Sequence, residues 1–181
     1  MMLRDADITQ LGVQGYFSPF SEENVNPVSY DVTLGNTFRV MENAYVPICP
    51  YSSDANKFFA KEEFVADGKS YLIYPSECIL ATTKEQFLLP PNIAGELMGK
   101  STLGRWFLSI HVTAGLIDPG FSGQITLEIV NLGKNTIELI PGMRIGQMVF
   151  HKLYNNVDRP YGSEGLNSHY QNQKETTLPW G

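Results

Sequence analysis

The sequence predicts a mainly β protein, a barrel or sandwich of short strands. Three observations carry this. Period-two alternation recurs along the chain, and turn dipeptides separate the alternating runs at roughly ten-residue spacing. The 16 glycines and 11 prolines are spread over the whole length rather than gathered in linkers. At 181 residues, 43% of them hydrophobic, the chain suffices for one domain with a sizeable core.

The elements follow in order. Residues 3–12 predict a short helix capped by Asp5 or Asp7, with Ile8 and Leu11 facing inward. Val28, Tyr30, Val32 and Leu34 alternate with Ser29, Asp31 and Thr33, the pattern of a half-buried strand. Gly35-Asn36 predicts a turn, with residues 37–41 as the return strand. Residues 42–69 hold Pro47, Pro50 and a polar run, and read as a long surface excursion with a short strand or two. Strands are then predicted at 71–74, 78–82, 93–98, 107–113, 124–131, 136–140 and 144–150. Pro75-Ser76, Pro90-Pro91, Pro119-Gly120, Gly133-Lys134 and Pro141-Gly142 punctuate them. The run Gly99-Lys100-Ser101-Thr102-Leu103-Gly104-Arg105 predicts a tight turn into a short helix. From residue 155 the chain is polar with little periodicity: a frayed terminus, or an arm that orders over a ligand or a neighbouring subunit.

Charge and motifs exclude several classes. A net charge of −6 with no basic run rules against a nucleic-acid binder, yet local cations and backbone amides can still hold a phosphate-bearing small molecule. No apolar run is long enough to cross a bilayer, and MMLRDADITQ holds no export signal. A cytoplasmic protein free of the membrane is expected, with Cys49 and Cys78 as reduced thiols. Zinc-dependent nucleobase deaminases need His-x-Glu and Pro-Cys-x-x-Cys. Here His111 is followed by Val-Thr, His151 by Lys-Leu and His169 by Tyr-Gln, and no Cys-x-x-Cys occurs. No zinc or other protein-held metal is therefore expected. Walker, dinucleotide and nucleophile-elbow motifs are missing too.

Three segments could carry chemistry. Ile125, Leu127 and Ile129 share one strand face, so Thr126 and Glu128 share the other. That pattern fits either a solvent-facing carboxylate or one held in a cleft as general acid or base. Asp118, before Pro-Gly, is either a turn initiator or a ligand contact. The segment from Gly99 to Arg105 is either a plain helix start or a phosphate cradle of amides, hydroxyls and two cations.

Together these segments form GKSTLGRWFLSIHVTAGLIDPGFSGQITLEIVNLGK, with NPVSYDVTLG before it and PGMRIGQMVF and RPYGSEGLNSHYQNQ after it. The chain resembles the dCTP deaminases, of the dUTPase-like superfamily, from about Asp5 to Thr177. The resemblance implies one domain over residues 1–181, a distorted, jelly-roll-like β-barrel with a few short helices. It implies a homotrimer with active sites at subunit interfaces, and a C-terminal arm at 155–181 that orders over substrate. Glu128 would be the proton shuttle for zinc-independent hydrolytic deamination of dCTP. Ser101 and the backbone at Ala114 would hold the water, and Arg105 would orient Glu128 and stabilise developing charge. Lys100, Ser101, Thr102, Leu103, Gly104 and Arg105 match the segment for phosphates and catalysis. Asp118 matches the carboxylate that accepts the ribose 3′-hydroxyl, and Thr126 with the Leu127 backbone matches the segment reading the base. Gln147, Tyr161 and Gln173 match triphosphate contacts. His169 stands where the family's arm carries lysine, which implies a weaker or more pH-dependent grip. Mg2+ would arrive on the triphosphate, and dTTP is a candidate feedback inhibitor.

Some members of the family stop at dUTP, and others continue to dUMP and diphosphate. Members that stop carry a bulky histidine directly after Thr-Ala, whereas bifunctional members carry glycine followed by an aromatic. Thr113-Ala114 is followed here by Gly115 and Leu116. The glycine implies the second reaction, and Leu116 departs from the pattern. A dUTPase without deaminase activity and a non-catalytic nucleotide-binding trimer are the alternatives. The Glu128 strand disfavours the first, and the Glu128 and Arg105 combination disfavours the second.

Overall fold

The computed structural model describes residues 1–42 and 45–179. Positions 43 and 44 of the expected excursion, and 180 and 181 of the expected arm, lie outside the described residues. Helix α1 (Asp5–Val13) leads into β1 (Phe17–Ser18) and the long β2 (Tyr30–Val40). Then come β3 (Glu63–Phe64), β4 (Tyr71–Ile73), β5 (Cys78–Leu88) and β6 (Ile93–Gly99). A single helical turn, α2 (Ser101–Gly104), is followed by β7 (Leu108–Ser109), β8 (Leu116–Ile117), β9 (Ser122–Asn131), β10 (Ile137–Leu139) and β11 (Arg144–Lys152). One antiparallel sheet runs β7-β9-β5-β2-β11-β6-β8, with β1 added on β5 and β3 on β2; β4 and β10 pair separately. The sheet curls into a half-barrel around a single apolar core, as the sequence predicted.

Alternation explains the core. Ile125, Leu127 and Ile129 of β9 point inward beside Ile79 and Ala81 of β5 and Val32 and Leu34 of β2. Phe17 stacks on Phe150 and Phe87 and meets Tyr30 at a centroid distance of 4.6 Å. Each such aromatic pair contributes about 0.5–1.5 kcal/mol beyond its buried area. Ile8 and Leu11 of α1 are buried as expected, but neither aspartate is the cap. Arg4 occupies that position, and the Asp7 carboxylate accepts its backbone N–H at 3.4 Å.

Three expectations are corrected. Gly35-Asn36 does not turn; β2 runs through it, with a register shift against β5 between Leu34 and Phe38. A Cβ at Gly35 would lie 2.5 Å from Thr82 Oγ1, so the glycine serves close strand approach rather than a hairpin. Asp31 and Ser29 are buried instead of facing solvent, because Asp31 Oδ1 accepts from Lys100 Nζ at 2.6 Å and from Asn26 Nδ2 at 2.9 Å. The strand expected at 107–113 shortens to β7. Phe107 takes a left-handed backbone (φ 61°), and beyond Ser109 the backbone is engaged by Glu128: Ile110 O accepts the Glu128 amide and Val112 N donates to its carboxylate.

The C-terminal arm lies along β9. Gln173 bridges Gly123 in parallel, Gln124 N donates to Gln173 O at 3.0 Å, and Asn172 N donates to Ser122 O at 2.7 Å. Gln171 spans the β8–β9 turn, its amide oxygen accepting from Ser122 N and its nitrogen donating to Gly120 O. Gly123 permits this contact: φ is +134°, and a Cβ would meet Gln173 O at 2.7 Å. Gly123→Ala is expected to lift the arm while sparing the core. Hydrogen exchange of amides 171–175 should accelerate by about tenfold or more; unchanged exchange would contradict the docking.

Glu85 is 1% exposed on β5, where Thr33 N donates to its Oε2 and Thr33 Oγ1 to its Oε1. Burial pushes this carboxyl above its ordinary value, more than the Thr33 hydrogen bonds lower it. The folded chain thus binds this proton more tightly than the unfolded chain. The resulting stability is complete below the ordinary carboxylate value and is lost as pH rises through the folded one. Glu85→Gln can accept from Thr33 N and donate to Thr33 Oγ1. It should melt a few degrees above wild type at neutral pH, with the gap closing near about pH 4. A gap independent of pH would refute the assignment.

Candidate active site

On the outer face of β9, antiparallel pairing sets Glu128 directly opposite Leu80 and Thr126 opposite Thr82 of β5. Leu80, Thr126 and Glu128 line one side of a cleft of about 540 Å³. Ala114, Leu116, Ile117 and Asp118 form the next side, around β8 and the turn that follows it. The arm closes the third side with Tyr161, Asn167, His169, Tyr170 and Gln173, and Phe59 reaches in from the surface excursion.

Glu128 is fixed by its neighbours. Its Oε2 accepts the Val112 N–H at 2.8 Å, which leaves Oε1 available to a water. Thr126 Oγ1 is buried and lacks a hydrogen-bond partner. An orphaned hydroxyl in a cleft is costly until a ligand group satisfies it. Asp118 is exposed at the rim, its carbonyl accepting Phe121 N at 3.1 Å to close the turn. Pro119 O accepts Tyr161 N at 2.8 Å, so the Asp118 turn also seats the arm. The Tyr161 hydroxyl accepts Tyr170 N at 3.1 Å, and the Tyr170 hydroxyl donates to Pro179 O at 3.2 Å. Burial pushes the Tyr170 phenol above its ordinary value, with Tyr161 and Glu128 adding to the effect, so it remains a neutral donor.

Other expected site residues stand elsewhere in the chain. Lys100 is committed to buried Asp31 and borders a second cleft with Phe107, Ile110 and His111. Gln147 accepts from Ser29 Oγ at 3.1 Å and donates to Gly99 O at 3.2 Å. Ser101, Thr102 and Gly104 are exposed and Leu103 half-buried on α2; Arg105 lines a third cleft with Trp106, Phe107 and Leu132. None of residues 100–105, nor Gln147, lines the Glu128 cleft of its own chain. Leu127 turns its side chain into the core and meets a ligand only through its backbone. Gly115 is tight against β6: its carbonyl accepts Leu97 N at 2.7 Å, and a Cβ would lie 2.9 Å from Leu97 O. A Cβ there would force Gly115 or β6 to shift, whereas Leu116 reaches the cleft itself.

Phe59, Leu80, Phe121 and Tyr170 were not singled out from sequence. Leu80 and Phe121 needed the β5–β9 register. Tyr170 adjoins His169 and carried a usable hint, whereas Phe59 lies in the irregular excursion and carried none. Among the described residues no group of three His, Cys, Asp or Glu side chains is arranged to hold a metal ion, and Cys49 and Cys78 are unpaired in any disulfide. No described helix is long and apolar enough to span a membrane.

Known proteins similar to the chain identify its family. A family model described as dCTP deaminase-like matches residues 2–153. A Bifidobacterium longum (strain DJO10A) protein named dCTP deaminase, dUMP-forming, is 43% identical over 181 residues, covering 98% of this chain and 92% of its own. A Corynebacterium glutamicum (strain R) protein of the same name is 42% identical, covering 98% of this chain and 94% of its own. The crystal structure of 2'-deoxycytidine 5'-triphosphate deaminase from Agrobacterium tumefaciens shares the fold, with a TM-score of 0.67 at 21% identity. That alignment spans 83% of this chain and 48% of the Agrobacterium chain, about half its length. With the family model spanning most of the chain and these relatives matching almost end to end, the chain belongs to the dCTP deaminase family.

Proposed function

We propose that the Glu128 cleft hydrolyses dCTP to dUTP and ammonia, and then hydrolyses dUTP to dUMP and diphosphate without releasing it. The single observation that carries this is the Glu128 carboxylate, pinned through one oxygen by Val112 N beside the orphaned Thr126 hydroxyl. The full-length likeness to dUMP-forming relatives supports the second step.

Glu128 takes a proton from water as the oxygen bonds to C4 of cytosine. It delivers that proton to N3, then takes the proton of the new C4 hydroxyl and passes it to the amine, which leaves as ammonia while the C4 carbonyl forms. A carboxylate suits this because it acts as base and then as acid within one cycle. Thr126 Oγ1 and the Leu127 backbone read the base edge, and Asp118 accepts the 3′-hydroxyl. Water attack at the α-phosphate then releases diphosphate, with Asp118 at the rim and the glycine at 115 keeping bulk away from that side. Mg2+ enters as part of the substrate, bound by the triphosphate.

The cleft offers carboxylates and hydroxyls but lacks the cations a triphosphate needs. Lys100, Ser101 and Arg105 lie outside it, on a surface where Trp106, Phe107 and Leu132 are 64%, 65% and 68% exposed. A homotrimer that seats this apolar surface against the next chain accounts for both features. It would bring the neighbour's Ser101 and Arg105 to Glu128, with Lys100 and Gln147 nearer the phosphates. The arm residues Tyr161, His169 and Gln173 then close on the triphosphate. Two exposed, unpaired cysteines suit the reducing cytoplasm where deoxynucleotides are made.

Incubation with dCTP and magnesium should yield dUMP and diphosphate, with dUTP never accumulating in chromatograms. Glu128→Gln should lower kcat by about 10²–10⁴-fold while dCTP still binds within a few-fold of wild type. Wild type that binds dCTP but never turns it over would end the enzymatic reading.

A further inference from the structure

The arm carries six of the cleft's polar or aromatic residues, yet its hydrogen bonds to β9 end at Glu175, whose N–H donates to Gln124 Oε1 at 2.9 Å. One residue further on, Thr176 is 4% exposed although the terminus around it is polar. It is buried against the Glu62 carboxylate of the surface excursion. Thr176 N donates to Glu62 Oε2 at 3.1 Å, and the Thr176 hydroxyl donates to the same oxygen. Arg39 of β2 completes the group. Its Nη2 pairs with Glu62 Oε2 at 3.4 Å, its Nε donates to Thr176 Oγ1 at 3.2 Å, and its Nη1 donates to Ala60 O at 3.3 Å.

This cluster ties the arm to the excursion, which is itself held to β2 by the Ala60 N–H donating to Val40 O and by pairing of Met41 with Phe59. Glu62 belongs to the excursion that sends Phe59 into the cleft, Thr176 precedes the lining residue Thr177, and Arg39 anchors both to the sheet. The Glu62 and Arg39 side chains are each 20% exposed, so solvent screens them only in part. Hydrogen bonds to a charged acceptor are about twice as strong as neutral ones. Glu62 uses two of them to hold a single residue of the arm.

We propose that Glu62 is a positioning residue for substrate binding, a charged latch that, held by Arg39, pins Thr176 and keeps the arm closed across the nucleotide cleft. This rests on the reading of the cleft as the dCTP site. The latch touches no reacting atom. It sets how much of the protein stands with Tyr170 and Gln173 in place before the substrate arrives, and so it acts on affinity rather than on chemistry.

The test uses the full chain with Glu62→Ala, Thr176→Ala and the conservative Thr176→Ser. Without nucleotide, trypsin cleavage after Lys174, followed by mass spectrometry, reports whether the arm is closed. Thr176→Ala should be cut about tenfold faster than wild type, the loss of one hydrogen bond to a charged group, and Glu62→Ala, which loses two, at least as fast, while Thr176→Ser stays close to wild type. With dCTP and magnesium, KM should rise about tenfold and kcat stay within about twofold. Normal cleavage in both alanine variants would overturn the latch, as would a loosened arm with unchanged KM. If Glu62→Ala fails to fold, Thr176→Ala, outside the core, carries the same test. Arm loosening without dCTP turnover by any protein, wild type included, would leave the latch standing and remove the functional reading instead.

Discussion

Everything in the site depends on the pairing of β9 with β5. Because side chains alternate along a strand, burying Ile125, Leu127 and Ile129 obliges Thr126 and Glu128 to face outward, and a one-residue slip would exchange the two sets. The register is pinned at both ends of an interruption. Between Thr82 and Gln86 the ladder breaks, and Thr83 Oγ1 takes over by accepting Ile125 N at 3.0 Å, while Gln124 Nε2 donates to Thr83 O at 2.9 Å. Side chains thus complete the hydrogen bonding that the bulge leaves open.

The same strand organises the rest of the cleft. Glu128 holds the 110–112 segment by backbone and carboxylate together, which shortens β7 and leads the chain toward Ala114 and β8. The opposite end of β9 receives the arm at Gly123. One strand therefore supplies the Glu128 carboxylate, the Thr126 hydroxyl beside it and the docking edge for the arm.

Much of this was legible in the sequence because alternation and turn chemistry are local. The β9 pattern gave Glu128 its orientation, and Pro119-Gly120 gave the Asp118 turn. What was not legible depended on contacts between distant segments. Gly35-Asn36 reads as a hairpin, but the steric demand of Thr82, far along the chain, makes it an interior strand position. Asp31 reads as exposed, but Lys100 compensates its burial. The polar composition at the end of the chain fits a frayed tail equally well, and the Arg39–Glu62–Thr176 cluster shows no signal in any one of its three segments. Glycine 115 was read from a family pattern as room for chemistry, and the structure adds that a Cβ there would press on the Leu97 carbonyl of β6.

In the proposed trimer each cleft uses Glu128 from one chain and Arg105 from its neighbour. Subunit complementation tests it most directly. Glu128→Gln and Arg105→Ala proteins, each inactive alone, are co-refolded and mixed oligomers are verified by native mass spectrometry. Deamination of dCTP should return, because mixed assemblies contain interfaces with both residues intact. Mixed oligomers that form but remain inactive would contradict it and return Arg105 and Glu128 to a single chain.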